Sequence, residues 1–260
     1  MAHESWEERT SNHRLSKRAK FWIGILVFLI TVTGFSLKDF WPNSPEVAAP
    51  SPTSTIPTPV STGGGWGPPR ATFKIDQPAT YAVLNSITDN PDYGDERQFF
   101  TVRPADVTKF GPNFKTSLRV TAGDVLTFRV LYEDSAADNF EDSDPSWIQG
   151  ATAVLAYDDS PLLRRVMQLS ISAANSPMIW SALVLESENL FSLEYVRDSA
   201  RIYNNAHGLK TAKGPYKFDF DQLRSATGLK LGYDEMNGTI RPGYQYAGYI
   251  YFDMKVVDAS

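Results

Sequence analysis

The chain has 260 residues, a formal net charge of −5 and no cysteine. This length allows one domain of ordinary size with additional segments, and a hydrophobic content of 42% predicts a buried core. The absence of cysteine excludes disulfides, thiol catalysis, thiolate zinc sites and a lipoprotein anchor. Residues 1–20 carry +2 and residues 21–70 balance, so residues 71–260 carry −7. A domain this acidic repels polyanions, which argues against nucleic acid as a partner.

The N-terminal part of the chain predicts a membrane anchor. The uncharged run FWIGILVFLITVTGFSL begins at Phe21, ends at Leu37 and is bracketed by Lys20 and Lys38. As a helix it spans roughly 26 Å, slightly less than a hydrocarbon core of about 30 Å. We therefore expect residues 21–37 to contact the lipid bilayer as a single transmembrane helix.

The basic residues predict the orientation of this anchor. Five lie before the span, and none lies between Lys38 and Arg70. The positive-inside bias predicts a signal anchor in the plasma membrane, with residues 1–20 as a cytoplasmic tail and the C-terminal domain outside the cytoplasm. Cleavage as a signal peptide is the alternative, although no Ala-x-Ala motif follows the span.

Residues 42–70 predict a disordered linker. They contain eight of the 17 prolines of the chain, and Gly63, Gly64 and Gly65 near their end. The Pro/Ser/Thr part favours extended polyproline II, and the glycines are interpreted as a swivel. Such a stalk lifts a domain away from the bilayer, and a ligand for a proline-recognising partner is the alternative.

From about residue 71 the hydrophobic pattern has a period of two. Apolar and polar residues alternate over residues 125–132, 167–172, 191–195 and 249–256. This pattern is typical of half-buried antiparallel strands that pack face to face. Residues 71–260 are therefore predicted to form one extracytoplasmic, all-β sandwich domain.

Two local signals accompany the strands. Asp219 as N-cap, Leu223 as an inward residue and Gly228 beyond the end predict one short helix. The pair Asn237-Gly238 predicts a type I′ hairpin turn, which needs positive φ at both positions.

The segment GDVLTFRV at residues 123–130 resembles a strand of the immunoglobulin-like conserved-repeat modules of bacterial surface proteins. Residues 195–202 (YVRDSARI), 85–97 (NSITDNPDYGDER) and 231–233 (LGY) resemble membrane proteins of Gram-positive bacteria that have no assigned function. The resemblance covers most of residues 80–257. It implies an immunoglobulin-like sandwich displayed at the cell surface, with no catalytic residues to transfer.

An acidic run predicts a weak calcium site. Carboxylates are concentrated between residues 133 and 144, directly after a predicted strand, and carboxylate oxygens are the ligands that calcium prefers. The candidate ligands are Glu133, Asp134, Asp138, Glu141, Asp142 and Asp144. The alternative is a solvated acidic loop, since the spacing matches no EF-hand.

Two tyrosines form a candidate partner-binding surface. Tyr249 and Tyr251 alternate with Ile250 and Phe252, so they point away from the predicted core, where aromatic rings can stack on sugars or contact a protein. Cross-strand packing on a second, partly covered face is the alternative.

The remaining candidate residues argue against a catalytic function. His207 lies alone between Asn and Gly residues, which argues against a catalytic triad or a histidine metal site. We therefore predict a non-enzymatic cell-envelope protein that binds an envelope protein or glycan. The alternative is an envelope enzyme that acts on glycan with paired carboxylates, for which Glu186 and Glu188 are examples. A concave pocket with two facing carboxylates favours the enzyme, and a flat aromatic face favours the binding protein.

Overall fold

The computed structural model describes residues 63–105, 113–140, 146–205 and 215–259, which all fall within one compact unit, Ser54–Ser260. The predicted tail, the anchor at 21–37 and most of the linker lie outside the described residues. Within these ranges, no helix combines the length and apolar character that crossing a membrane requires.

The described residues form an all-β domain with one short α-helix, as predicted. The strands are β1 Gly65–Gly67, β2 Phe100–Pro104, β3 Ser117–Arg119, β4 Val125–Tyr132, β5 Thr152–Ala156, β6 Leu162–Ser172, β7 Ile179–Tyr195, β8 Arg201–Asn204, β9 Tyr216–Lys217, β10 Leu229–Lys230 and β11 Gly248–Asp258, and the helix is α1, Phe220–Arg224. Short 3₁₀ turns lie at Asp138–Phe140 and Tyr244–Tyr246. The named strands pair antiparallel, except that β3 runs parallel to β7.

The strands join into one hydrogen-bonded sheet through the long strand β7. The main order is β10-β5-β6-β7-β11-β4-β2, and β1, β3, β8 and β9 attach beside it. The first half of β7 pairs with β6 on one side and with β1 and β3 on the other, whereas residues 191–195 pair with β11. Because β7 changes partners along its length, it connects two arms of the sheet, one formed by β10, β5 and β6 and the other by β11, β4 and β2. Side chains of both arms belong to one hydrophobic core.

The centre of this core is a group of aromatic rings. Phe128 on β4 and Phe252 on β11 are register partners, and their rings stack with centroids 4.9 Å apart. The Phe220 ring of α1 lies 5.2 Å from that of Phe252 and stacks on Tyr195 at 4.3 Å. Such ring pairs stabilise a core beyond their buried area alone. The alternation in the sequence therefore assigns these inward positions correctly.

The two local predictions have different outcomes. The Asp219 side chain accepts a hydrogen bond from the Asp221 backbone N–H at 3.1 Å, and Leu223 is fully buried, so the helix and its cap are confirmed. The type I′ turn at Asn237-Gly238 is wrong, because φ is positive at Met236 and Gly238 and not at Asn237. Asn237 instead accepts a hydrogen bond from the Thr239 N–H through its side chain, which forms an Asx-type turn.

The predicted start of the folded domain at residue 71 is too late. Strand β1 pairs with residues 180–182 of β7, and the Arg70 side chain donates to the Asn85 carbonyl at 2.7 Å. The glycines of this segment permit close packing, since a Cβ at Gly67 would lie 2.5 Å from the Trp180 ring. The Gly-rich run thus differs from the predicted swivel, because the missing side chains let its backbone lie against a neighbouring strand.

We expect a fragment of residues 54–260 to be more stable than a fragment of residues 71–260. The shorter fragment loses the β1–β7 hydrogen bonds and the Trp66 ring, which lies 4.0 Å from the Arg97 guanidinium. Each such contact contributes about 1 kcal/mol net, so we expect a loss of about 2 kcal/mol in urea unfolding followed by circular dichroism. Gly67→Ala in the longer fragment should reproduce part of this loss. Equal urea midpoints for the two fragments would show that β1 contributes nothing.

Candidate functional site

Tyr249 and Tyr251 lie on the outer face of β11, opposite the buried Ile250 and Phe252. Both tyrosines are partly buried rather than open to solvent. The Tyr251 ring meets those of Tyr203 and Phe114 edge-on, at 5.5 and 6.3 Å. Both side chains thus point to the outer face of the strand, as predicted. They also show the cross-strand packing that is the alternative to a partner-binding surface.

The neighbouring strand adds an arginine to this face. Arg129 on β4 is the register partner of Tyr251 and of Thr101 on β2. Its guanidinium carbon lies 4.1 Å from the Phe114 ring centroid and 4.6 Å from that of Tyr93. The arginine is therefore held between two aromatic rings, and cation–π attraction fixes its position.

A shallow cleft opens beside Arg129, and we name it the arginine–aromatic cleft. Its volume is about 510 Å³. The lining side chains combine aromatic rings, hydroxyl groups and cations: Tyr93, Asp95, Gln98, Thr101, Phe114, Lys115, Thr116, Ser117 and Arg129. Asp95 is paired with Arg97 through two short contacts, at 2.6 and 2.8 Å, so its charge is compensated. The cleft is consequently a locally positive surface on an acidic domain.

The hydroxyl groups of Tyr249 and Tyr251, on the outer face of β11, remain protonated at neutral pH. Burial is the main cause that raises the pKa of Tyr249 to about 12, and burial also raises the pKa of Tyr251. The nearby Arg129 opposes the rise at both residues. The tyrosines are therefore neutral hydroxyl groups on the face that adjoins the cleft, and they are not among the residues that line it.

A second cleft lies beyond the C-terminal end of β4, and we name it the acidic cleft. Its volume is about 410 Å³, and carboxyl groups line it: Glu96, Glu133, Asp134 and Asp138. The carboxyl groups of Glu96 and Glu133 are in hydrogen-bond contact. Asn90 donates to Glu96 Oε1 at 2.6 Å, and the Ser135 hydroxyl donates to Glu133 Oε1 at 3.4 Å. Two loops that are distant in sequence thus bring paired carboxyls together.

Burial favours the protonated, neutral form of the carboxyl groups in the acidic cleft. It raises the pKa of Glu133 well above its usual range, and contact with Glu96 raises it further. Burial also raises the pKa of Glu96, and it raises the pKa of Asp134 to about 7. Asp134 has a structural task as well, since its Oδ1 accepts from the backbone N–H groups of Val83 and Ala136. Both raised pKa values favour a proton shared by Glu96 and Glu133.

Three of the six candidate calcium ligands fall within the described residues. Glu133, Asp134 and Asp138 line the acidic cleft, whereas Glu141, Asp142 and Asp144 lie outside the described residues. Within the described part of the chain, no group of three or more acidic or histidine side chains is arranged to hold a metal ion. Weak calcium binding by the 133–144 run stays a prediction.

The other candidate catalytic residues are not brought together in the described structure. Glu186 and Glu188 are exposed on β7, and Glu186 is paired with Arg164 at 3.3 Å. His207 lies outside the described residues. Facing carboxyls do occur in a cleft, at Glu96 and Glu133, but the sequence analysis singles out only Glu133, and as a calcium ligand.

Sequence reasoning missed the residues that make the arginine–aromatic cleft, and it missed Glu96 in the acidic cleft. The available signal for Arg129 is its polar position in the alternating run of residues 125–132, but its aromatic neighbours Tyr93 and Phe114 come from distant loops. Glu96 carried no signal of its own, because a single acid in a polar loop is normally solvated. Its partner Glu133, a predicted calcium ligand, lies against a second carboxyl.

The fold and its surfaces define an all-β domain with a positive, aromatic cleft and a separate acidic cleft. No protein-family model matches this chain, and neither curated proteins nor solved structures include a significant match.

Proposed function

We propose that this chain is a non-enzymatic cell-envelope protein, anchored in the plasma membrane by residues 21–37, that holds its β-domain outside the cytoplasm for binding. The anchor, its basic flank and the Pro-rich linker support this arrangement. We also propose an immunoglobulin-like sandwich of the kind found in Gram-positive surface proteins. The resemblance of residues 123–130 and the shared core of the two sheet arms support that class.

The arginine–aromatic cleft is the observation that carries the binding function. Lys115 is exposed, Arg129 is fixed between two rings, and hydroxyl groups of Thr101, Thr116 and Ser117 surround them. Cations attract anionic groups, whereas hydroxyls and ring faces suit sugar rings. The ligand that fits this combination best is an anionic glycan of the envelope.

The glycan-cleaving alternative has less support from the geometry. Its favourable observation is the carboxyl pair in the acidic cleft. Glycoside hydrolysis needs carboxyl groups separated by about 5 to 9.5 Å, so that a sugar or a water fits between them. Glu96 and Glu133 instead touch each other, and Glu96 has no exposed surface. The pair leaves no space for a glycosidic bond.

We test the binding function with polygalacturonate, an acidic polysaccharide, and with uncharged dextran as the neutral control. The double variant Lys115→Gln/Arg129→Gln of the full-length chain should bind polygalacturonate at least about tenfold more weakly in calorimetry, because two charge-assisted contacts are lost. Tyr251→Ala should weaken binding less.

Lys230→Gln is the control for loss of a surface cation outside the cleft, since Lys230 is exposed on β10 at the opposite end of the main strand order. It should leave binding unchanged. Equal binding of dextran and polygalacturonate, or no effect of the double variant, contradicts the proposed ligand. Polyglutamate binding through the same residues without polysaccharide binding would instead indicate an acidic protein partner.

A further inference from the structure

Beside the arginine–aromatic cleft, the outer face of the sheet carries cations that follow one another across the strands. Arg129 on β4 is the register partner of Tyr251 on β11, and Tyr251 is the register partner of Arg201 on β8. Arg201 is in turn paired with Lys217 on β9. Directly opposite residues of antiparallel strands share one face, so these side chains stand side by side. We name Arg129, Arg201 and Lys217 the cation row, which begins at the cleft because Arg129 also lines the cleft.

The chain neighbours of the cations show which face the row occupies. Ile202, beside Arg201 on β8, is fully buried, and Tyr216, beside Lys217 on β9, packs against the hydrophobic core. Successive side chains of a strand point to opposite faces, so Arg201 and Lys217 lie on the side away from the core. Lys217 is exposed there and Arg201 is partly exposed. Both cations are therefore accessible to a ligand.

The cations of the row have no carboxylate partner in the described part of the chain. No described carboxylate lies within ion-pair distance of Arg129, Arg201 or Lys217. Arg201 donates instead to the Ala200 carbonyl at 2.7 Å. By contrast, Arg224 elsewhere on the domain has a carboxylate partner at 2.9 Å. Cations kept apart from carboxylates form a local positive surface on an acidic domain, and anionic groups of a ligand can neutralise it.

The charges on this face favour a path across the strands. Along β11 the outer positions continue from Tyr251 to Asp253, whose carboxylate accepts from the Thr127 hydroxyl at 2.7 Å. A polyanion that followed the strand would meet this carboxylate and be repelled. Across the strands, the positions after Tyr251 are the cations Arg201 and Lys217. The favourable direction for a polyanion is therefore perpendicular to β11.

The spacing of the strands sets the length of the ligand. Neighbouring strands lie about 4.8 Å apart, and three such steps separate Arg129 from Lys217, so the row spans roughly 14 Å. A disaccharide is too short to contact both ends of the row. An extended chain of acidic sugars contacts all of the cations at once, and each further contact then forms without a second loss of translational freedom. Tyr251, between Arg129 and Arg201, presents an aromatic ring to the sugars.

We infer that the cation row extends the arginine–aromatic cleft into a binding surface for a linear, polyanionic glycan that crosses the strands from Arg129 to Lys217. This inference rests on the proposed function and adds the direction and the minimum length of the ligand. Sugars at one end of the chain occupy the cleft, and carboxylates farther along the chain pair with Arg201 and Lys217. A short acidic saccharide binds the cleft alone.

The experiment is calorimetry on the full-length chain in detergent, with digalacturonate and hexagalacturonate as probes and maltohexaose as the uncharged control. The double variant Arg201→Gln/Lys217→Gln should weaken hexagalacturonate binding by about tenfold or more, because two charge-assisted contacts are lost. It should leave digalacturonate binding unchanged. A loss that depends on ligand length separates the row from the cleft, since Lys115→Gln/Arg129→Gln should weaken the binding of both probes.

Arg119→Gln/Lys255→Gln is the matched control, because it also removes one arginine and one lysine from exposed positions. Lys255 lies on the outer face of β11 beyond Asp253, so this control also tests a path along the strand. It should leave the binding of both oligosaccharides unchanged. Lys217→Gln alone, at an exposed position, should weaken hexagalacturonate binding about threefold and decides the result if the double variant does not fold.

Equal losses of digalacturonate and hexagalacturonate binding in Arg201→Gln/Lys217→Gln, or no loss of either, would overturn the row and leave the proposed function of the cleft intact. A loss in Arg119→Gln/Lys255→Gln without one in the row variant would also overturn it, because the chain would then run along β11. Binding of hexaglutamate through the row without binding of hexagalacturonate would assign the row to an acidic peptide. Absence of binding by both oligosaccharides and by polygalacturonate would contradict the proposed function as well as the row.

Discussion

Raising the pH from about 5 to about 9 is expected to lower the free energy of unfolding by about 2 to 3 kcal/mol through Asp134 alone. Asp134 has only 4% of its surface exposed, and burial raises its pKa from 3.8 to about 7. The folded state thus binds a proton that the unfolded state has already released. The stabilisation is complete below the unfolded pKa and disappears as the pH rises through the folded pKa. The pair Glu96–Glu133 has raised pKa values and adds in the same direction.

The measurement is urea unfolding of the full-length chain at several pH values and constant ionic strength. Asp134→Asn keeps the side-chain oxygen that accepts from Val83 and Ala136 and removes the titration, so its slope against pH should be shallower. Glu188→Gln, at an exposed position, should retain the full slope. A stability that rises between pH 5 and 9, or an identical slope in Asp134→Asn, would contradict the raised pKa.

Phe252→Ala is expected to destabilise the domain by about 3 to 5 kcal/mol. Phe252 is fully buried, and its ring contacts those of Phe128 on β4 and Phe220 on α1. Its removal leaves a cavity where the sheet and the helix meet, so both lose packing. For a domain of this size the melting temperature should fall by about 8 to 15 °C.

Tyr251→Ala is the matched control for this substitution. It removes an aromatic ring from the adjacent position of the same strand, on the outer face. We expect a loss of only about 1 to 2 kcal/mol, since Tyr251 is partly exposed and makes cross-strand contacts with Tyr203. Calorimetric or optical melting of both variants gives the comparison. Equal losses would show that the two faces of β11 are buried alike and that the outer face is unavailable to a ligand.

The amino-acid sequence by itself determined the local features of this domain. Period-two alternation identified β4 and the inward direction of Phe128 and Phe252, because side chains of a strand point alternately to its two faces. The Asp219 cap and Leu223 identified the helix for an equally local reason, since a cap contacts the first turn of its own helix. The same alternation placed Tyr249, Tyr251 and Arg129 on the outer face.

Only the tertiary structure decided which segments meet. The sheet arms are joined because β7 continues for 17 residues and changes partners, and local alternation is the same whatever the neighbouring strand is. For the same reason Glu96 reaches Glu133, and Phe114 reaches Arg129, through loops whose own sequence patterns are polar. Gly67 belongs to the fold because Trp180 occupies the space of its missing side chain. Periodicity records which face of a strand is buried, whereas pairing and burial of single polar side chains depend on contacts between residues far apart in the chain.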